Sequence, residues 1–112
     1  MKKNFTHMFA VGIIMIFLSL ILISCMTVGR KFPVEPVTKI VIDLSTQQDI
    51  QRMFGDPWRM GIENGMKTWT YGDYHYSAFG GTTTTDLVVR FNVDKTVDSY
   101  TFNTTNPEYI KK

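Results

Sequence analysis

The residue with the most distinctive chemistry in this sequence is its only cysteine, Cys25. A thiol in this setting is either modified covalently or buried as a small apolar group. Lys2 and Lys3 lie near the start of the chain, and an apolar run from Met8 to Ile23 ends just before the cysteine. A basic start followed by an apolar segment is typical of a secretory leader. The sequence therefore predicts that Cys25 lies at the junction between a leader and an exported domain.

The residues around this junction resemble a bacterial lipoprotein signal, or lipobox. Leu22 is a large aliphatic residue three positions before Cys25, and Ser24 is a small residue directly before it. The resemblance implies a signal peptide over residues 1–24, cleavage after Ser24, and acyl chains such as palmitate on Cys25. It also implies an outer-membrane location with the domain facing the periplasm, because Met26 occupies the place of the aspartate that signals inner-membrane retention.

A second interpretation of the leader is a transmembrane helix that is not cleaved. The run from Met8 to Ile23 has 16 residues, whereas a helix needs roughly 20 to cross the hydrocarbon core. The run is also slightly long for the apolar region of an ordinary leader. Lipid chains would anchor the protein without a membrane span.

Length and charge limit the classes of protein that remain. Removal of 24 of the 112 residues leaves 88, enough for one small domain with a modest core. Two of the 12 Lys and Arg residues leave with the leader, so ten basic residues remain against ten acidic ones. A nearly neutral domain without a basic run is not expected to bind nucleic acid. A single cysteine excludes an internal disulfide.

Titratable residues suited to catalysis or metal binding are few in the predicted domain. Asp73 and His75 lie two residues apart and could face the same way on a strand, with Asp86 or Glu63 as further metal ligands. A surface histidine beside a loop is the ordinary interpretation. No nucleophile or phosphate-binding motif is present in the sequence. We therefore expect no enzyme activity, no cofactor, no metal and no small-molecule substrate.

Aromatic residues near predicted turns are better candidates for a binding surface. Aromatic side chains in such places can anchor a protein interface, although they can also cover the open face of a sheet as part of the core. The four candidate partner-binding residues are Trp58, Tyr74, Tyr76 and Phe79. Trp69 and Tyr71 are assigned to the core instead, because alternation places them opposite apolar residues of the next strand.

One short helix is predicted from local signals. Ser45 or Thr46 can serve as its N-cap, each with a polar side chain three residues later. Ile50, Met53 and Phe54 then form one apolar stripe, and Gly55 with the following Asp-Pro pair ends the helix. Because so short a helix is unstable alone, it must pack on a sheet.

Three strands are predicted from alternating patterns and form an antiparallel meander. They cover Thr68–Tyr71, Asp86–Val93 and Val97–Phe102, with a flexible connection over Ser77–Thr85. In the second strand, Leu87, Val89, Phe91 and Val93 would share one face. The segment Val37–Leu44 is either a short strand or an irregular lead-in to the helix.

The chain between the cysteine and this domain has two prolines and no periodicity. We expect residues 25–37 to form a lipidated N-terminus and a flexible tether. The alternative is an ordered arm packed on the domain, with Phe32 and Val34 inserted.

The order of these motifs resembles the SmpA/OmlA domain of bacterial outer-membrane lipoproteins, the family of the barrel-assembly subunit BamE. The matching motifs, in chain order, are Lys39-Ile40, Ser45-Thr46, Asp49-Ile50, Phe54-Gly55-Asp56-Pro57, Trp69-Thr70-Tyr71, Val89-Arg90-Phe91 and Val97-Asp98-Ser99-Tyr100. The resemblance implies an α+β fold, with one or two short helices on a three-stranded antiparallel meander, over residues 38–105. Residues 106–112 would form a C-terminal tail.

The chain departs from the family pattern at two places. Asp43 replaces the glycine that the family has before the capping residues, and aspartate tolerates such a turn. Pro36 makes the preceding stretch poor for a first helix, which is expected to be short or missing.

Two functions are compatible with the sequence. The first is a non-catalytic, lipid-anchored module that binds envelope proteins, including those that assemble outer-membrane β-barrels or maintain the envelope. The second is a periplasmic ligand-binding or inhibitory module that uses a sheet-plus-helix surface.

Overall fold

The computed structural model describes residues 2–22 and 25–110. These residues include two α-helices, two 3₁₀ helices and five strands. In chain order they are α1 (Lys2–Leu22), β1 (Cys25–Gly29), a 3₁₀ helix (Glu35–Lys39), α2 (Gln47–Phe54), β2 (Arg59–Glu63), β3 (Met66–Ser77), β4 (Gly81–Phe91), β5 (Val97–Thr104) and a second 3₁₀ helix (Pro107–Tyr109). The junction residues Ile23 and Ser24 of the predicted lipobox lie outside the described residues.

Helix α1 coincides with the predicted leader and presents apolar side chains to solvent. Its large apolar side chains from Phe5 to Leu20 are between 54% and 75% exposed. A helix that is apolar on all sides is stable only in an apolar environment, and this one has no such environment within the described part of the chain. Among the residues that the structure describes, no helix is both long enough and apolar enough to cross a membrane.

The five strands form one antiparallel sheet in the order β1–β3–β4–β5, with β2 also paired to β3. Strand β1 pairs with residues 73–77 of β3, and β2 pairs with residues 66–70. Both short strands therefore lie end to end along the same edge of β3. The α+β class is confirmed, and the predicted meander corresponds to β3, β4 and β5. The prediction of only three strands is wrong, because β1 and β2 extend the sheet.

Strands β3 and β4 also extend through most of the segment predicted to be a flexible connection. Strand β3 continues to Ser77 and β4 begins at Gly81, so that the turn contains only residues 78–80. Aromatic and threonine residues favour extended structure, and they pair in register, with Tyr76 opposite Thr82. At the other end, β4 stops at Phe91, and Val93 lies fully exposed in a turn rather than on the core face.

Two neighbouring hydroxyl groups, on Ser45 and Thr46, accept hydrogen bonds from different donors, and this determines which residue caps helix α2. The Ser45 hydroxyl accepts a hydrogen bond from the Val41 N–H at 2.9 Å. The Thr46 hydroxyl accepts from the Asp49 N–H at 3.2 Å, while the Asp49 carboxylate accepts from the Thr46 N–H at 3.0 Å. The helix therefore starts after Thr46, and it ends at Gly55, whose φ of 83° suits glycine.

The core lies between α2, the arm that precedes it, and one face of the sheet. From α2, Ile50 and Phe54 are buried and Met53 is half-buried, as the predicted stripe requires. The Tyr71 hydroxyl donates to the Gly55 carbonyl at 2.9 Å, which joins the end of the helix to the sheet. The core residues of the strands are Trp69, Tyr71, Leu87, Val89, Phe91 and Val97. Trp69 and Tyr71 are thus core residues, as predicted.

The structure corrects the flexible tether expected for residues 25–37. The first five of these residues form β1, and Phe32 is 8% exposed, with its ring centroid 5.8 Å from that of Tyr71 and 6.4 Å from that of Phe54. Val37 is buried in the same core. The alternative of an ordered arm with Phe32 inserted is the one observed, because burial of a phenyl ring outweighs the freedom that the chain loses.

The segment before α2 forms neither a regular helix nor the strand that propensity favours. Pro36 lies in the first turn of the 3₁₀ helix, the place in a helix where proline is tolerated. The chain then turns through Asp43, which has a φ of 67° and donates its N–H to the Val97 carbonyl at 2.7 Å. A 3₁₀ helix thus stands where the first helix was expected to be short or missing, and the expected turn at Asp43 is present.

Candidate functional site

Cys25 is exposed and is the first residue of β1. It lies opposite Ser77, the last residue of β3. The thiol is therefore accessible at one end of the sheet, beside the turn that joins β3 to β4. Such a position leaves room for a covalent group on sulfur without disturbance of the core.

A close contact between two glycines holds the other end of β1. A Cβ atom on Gly29 would overlap the carbonyl oxygen of Gly72, and Gly29 has a φ of 87°. The following N–H, from Arg30, donates to the same carbonyl at 2.8 Å. The Arg30 guanidinium also donates to the Asp56 carbonyl at 3.1 Å. These contacts fix the path of the chain within a few residues of Cys25.

The four candidate partner-binding aromatics separate into two kinds of environment. Trp58 and Tyr74 pack on each other edge to face, with centroids 6.0 Å apart, and the Arg59 guanidinium lies 5.3 Å from the Trp58 ring. Tyr76 and Phe79 are 41% and 95% exposed. Trp58, which is 37% exposed, and Tyr74 are thus engaged in ring contacts within the chain, whereas Phe79 is almost fully exposed.

Tyr74 is held further by a hydrogen bond across the open face of the sheet. Its hydroxyl donates to the Asp86 carboxylate at 3.1 Å, and the Asn103 amide donates to the other oxygen of that carboxylate at 3.3 Å. The pKa of Tyr74 is raised, mainly because the phenol is partly buried and secondly because the negative charge of Asp86 is close to it. The phenol therefore stays neutral and acts as a donor at ordinary pH. Tyr74 is a positioned side chain rather than a mobile anchor.

Asp73 and His75 lie on the helix-facing side of β3 and contact each other, as their spacing predicts. His75 Nε2 lies 2.9 Å from the Asp73 carboxylate, and His75 Nδ1 lies 3.2 Å from the hydroxyl of Thr27 in β1. The other proposed metal ligands are elsewhere: Asp86 binds Tyr74 on the opposite face, and Glu63 forms an ion pair with Arg90 at 3.1 Å. Within residues 2–22 and 25–110, no three ligand-type side chains come together.

The structure also contains an apolar groove that the sequence analysis did not identify. It lies between the arm and the second 3₁₀ helix and has a volume of about 620 Å³. Its apolar lining residues are Val34, Val37, Phe102, Tyr109 and Ile110. Among the described residues that line it, the charged ones are Glu35 and Glu108.

The groove was missed because one wall comes from the segment predicted to be a tail. The Asn106 side chain accepts from the Glu108 N–H at 3.1 Å and so starts the 3₁₀ helix Pro107–Tyr109. An Asn-Pro pair at a turn is a signal that could have indicated this short helix. Its approach to the arm, however, depends on the tertiary structure.

Comparison of the chain with family models finds no match, and comparison with curated proteins finds no significant match. The resemblance to the SmpA/OmlA domain therefore stays a prediction.

Proposed function

We propose that this protein is a non-catalytic, lipid-anchored envelope lipoprotein whose domain binds another envelope protein. One observation carries the proposal. An apolar helix with a basic start and exposed large side chains precedes an exposed Cys25 at the edge of a folded domain. A cleavable leader followed by an acylated cysteine accounts for both features.

Physical chemistry supports acylation of Cys25 as the means of attachment. A single acyl chain binds a membrane only weakly and reversibly, whereas two or more chains hold a protein stably. Modification of both the sulfur and the nitrogen of Cys25 provides these chains. Met26 after the cysteine favours the outer membrane, with the domain in the periplasm.

The attachment can be tested by mass analysis of the protein purified from bacterial membranes. The expected mass is that of residues 25–112 plus acyl chains, and Cys25→Ala should leave an uncleaved precursor without lipid. Thr27→Ala, which keeps the thiol, is the matched control and should be processed normally. An unmodified thiol on a chain that retains its leader would refute the proposal.

The apolar groove supports a role in protein binding. Its apolar lining suits a segment with apolar side chains, and Glu35 and Glu108 beside it can pair with Lys or Arg of such a segment. The resemblance to the SmpA/OmlA domain makes subunits of the β-barrel assembly machinery the first candidates.

Site-specific crosslinking in intact cells tests this role. A photoreactive residue at Tyr109, in the groove, should capture an envelope protein that mass spectrometry identifies, such as a barrel-assembly subunit. The same residue at Val93, in the turn between β4 and β5, is the control and should capture little. If only uncrosslinked monomer is recovered with the photoreactive residue at either position, at native expression, a protein-binding role is contradicted.

The groove also favours a second candidate function, a periplasmic ligand-binding or inhibitory module. A volume of about 620 Å³ is within the range of small-molecule sites. Tight binding of a periplasmic enzyme or a small apolar ligand to the purified protein, in detergent and without other envelope proteins, would favour this function. Thermal unfolding with and without each ligand measures that binding, because a ligand that binds only the folded state raises Tm.

A further inference from the structure

The position of Cys25 determines which part of the domain lies beside its lipid chains. In the antiparallel register, Cys25 faces Ser77 and Met26 faces Tyr76. Residues opposite each other in such a pair have Cα atoms roughly 5 Å apart. The cysteine is therefore adjacent to the end of the β3–β4 hairpin. Because β1 begins at Cys25 itself, no free linker separates the lipid from the sheet.

The side chains at this end of the sheet are apolar or amphipathic and exposed. We call Met26, Tyr76 and Phe79 the hairpin tip. Their exposed fractions are 58%, 41% and 95%. Met26 and Tyr76 lie opposite each other and share one face, and Phe79 lies in the turn.

The strand segments that form this end of the sheet have few charged residues, although Lys31 lines a cavity together with His75 and Thr83. Residues 25–29 and 74–85 contain no Asp, Glu, Lys or Arg, and four successive threonines lead out of the turn. The nearest charged positions along the two hairpin strands are Asp73 and Asp86. Asp73 is four residues before Ser77, or roughly 13 Å along an extended strand. This stretch of the two hairpin strands can therefore enter a headgroup layer without burial of a charge from either strand.

We propose that the hairpin tip inserts into the headgroup region of the bilayer that holds the Cys25 lipid chains. This inference rests on the proposed function, because it requires an acylated Cys25. Tyrosine and phenylalanine are suited to this layer, since their rings enter the acyl boundary while polar groups nearby remain hydrated. The sheet then stands on the membrane by one end. Its opposite end, the turn that contains Val93, lies about 35 Å away along β4.

Fluorescence of the mature, acylated protein in vesicles tests the orientation. Phe79→Trp places a probe in the hairpin tip, and Val93→Trp places a matched probe in an exposed turn at the opposite end. Each variant is reconstituted in phosphatidylethanolamine and phosphatidylglycerol vesicles, with or without bromine on the acyl chains. The wild-type spectrum, to which Trp58 and Trp69 contribute, is subtracted. Circular dichroism establishes that both variants are folded.

The expected result is blue-shifted emission from Phe79→Trp that is quenched by bromine, and unshifted, unquenched emission from Val93→Trp. Absence of quenching at Phe79→Trp, in protein whose mass shows acyl chains, would overturn this inference and leave the lipid anchor intact. A blue shift without quenching would mean that a second copy of the chain covers the tip. Equal quenching of both probes would mean that the domain lies on the membrane in no fixed orientation. Either result overturns the inference. An unmodified Cys25 thiol would overturn both the anchor and the orientation.

Discussion

At the scale of single residues, the start of α2 depends on one pair of side chains. The Thr46 hydroxyl and the Asp49 carboxylate each accept a backbone hydrogen bond from the other residue. Helix α2 has only eight residues, so it has few internal hydrogen bonds with which to compensate for a lost cap. Substitution of either Thr46 or Asp49 is therefore expected to lower the stability of the protein measurably.

Thr46→Ala should lower the free energy of unfolding by about 1 kcal/mol, because the Asp49 N–H loses its acceptor. Urea unfolding of the purified protein measures the change. Gln48→Ala, at an exposed position in the same helix, is the control and should have little effect. Equal effects of the two substitutions would mean that the cap contributes nothing specific.

The same pair predicts a dependence of stability on pH. The backbone hydrogen bond from Thr46, then the Thr46 hydroxyl and the charge of Arg52, hold the pKa of Asp49 below its usual value of 3.8. A carboxyl with a lowered pKa stabilises the folded state above the unfolded pKa, and this stabilisation is lost as the pH falls through the folded value. Tm should therefore fall below about pH 4, and Asp49→Asn should reduce that dependence. An identical pH profile for the variant would contradict this role.

At the scale of elements, the arm that contains β1 and the first 3₁₀ helix is an integral part of the fold. It supplies Phe32 and Val37 to the core and one wall of the apolar groove. It also attaches the lipidated end of the chain directly to the edge of β3. The arm thus links the anchor, the core and the candidate binding surface, which a free tether could not do.

Phe32→Ala should lower the free energy of unfolding by about 3 kcal/mol, because the cavity it leaves lies between Tyr71 and Phe54. Chemical unfolding in detergent measures the change. Phe79→Ala, which removes the same side chain from a position that is 95% exposed, is the control and should have almost no effect. If Phe32→Ala were equally mild, the arm would not be packed as described.

At the scale of the whole molecule, the sheet has two central strands and short edges. Strand β3 pairs on one side with β4 and on the other with β1 and β2, while β4 lies between β3 and β5. All five residues of β2 are exposed. Stability is therefore expected to be highest at the centre of the sheet and lowest at β2.

Hydrogen exchange measured along the chain should follow this order. Amides of β3 and β4 should exchange most slowly and those of β2 most rapidly among the strands. The amides of β1 that point towards β3 should be clearly protected from exchange, because Gly29 and Arg30 are held against Gly72. Exchange in β1 as fast as in an unfolded peptide would contradict the ordered arm.

Local signals in the sequence determined much of this fold. The capping residues, the stripe formed by Ile50, Met53 and Phe54, and the stop at Gly55 specify α2 within a few residues of chain. The alternation of polar and aromatic residues likewise predicted that Trp69 and Tyr71 belong to the core. These features could be predicted because their physical causes act between neighbours along the chain.

The tertiary structure alone decided the features that depend on distant partners. The Ser45 hydroxyl is used by Val41, which leaves Thr46 as the cap. Strand β1 forms because it pairs with β3, where the contact of Thr27 with His75 joins residues 48 positions apart. The groove, likewise, exists only where the arm meets the second 3₁₀ helix. A pattern within a short segment predicts the conformation of that segment, whereas pairing and cavities depend on surfaces that meet only when the chain has folded.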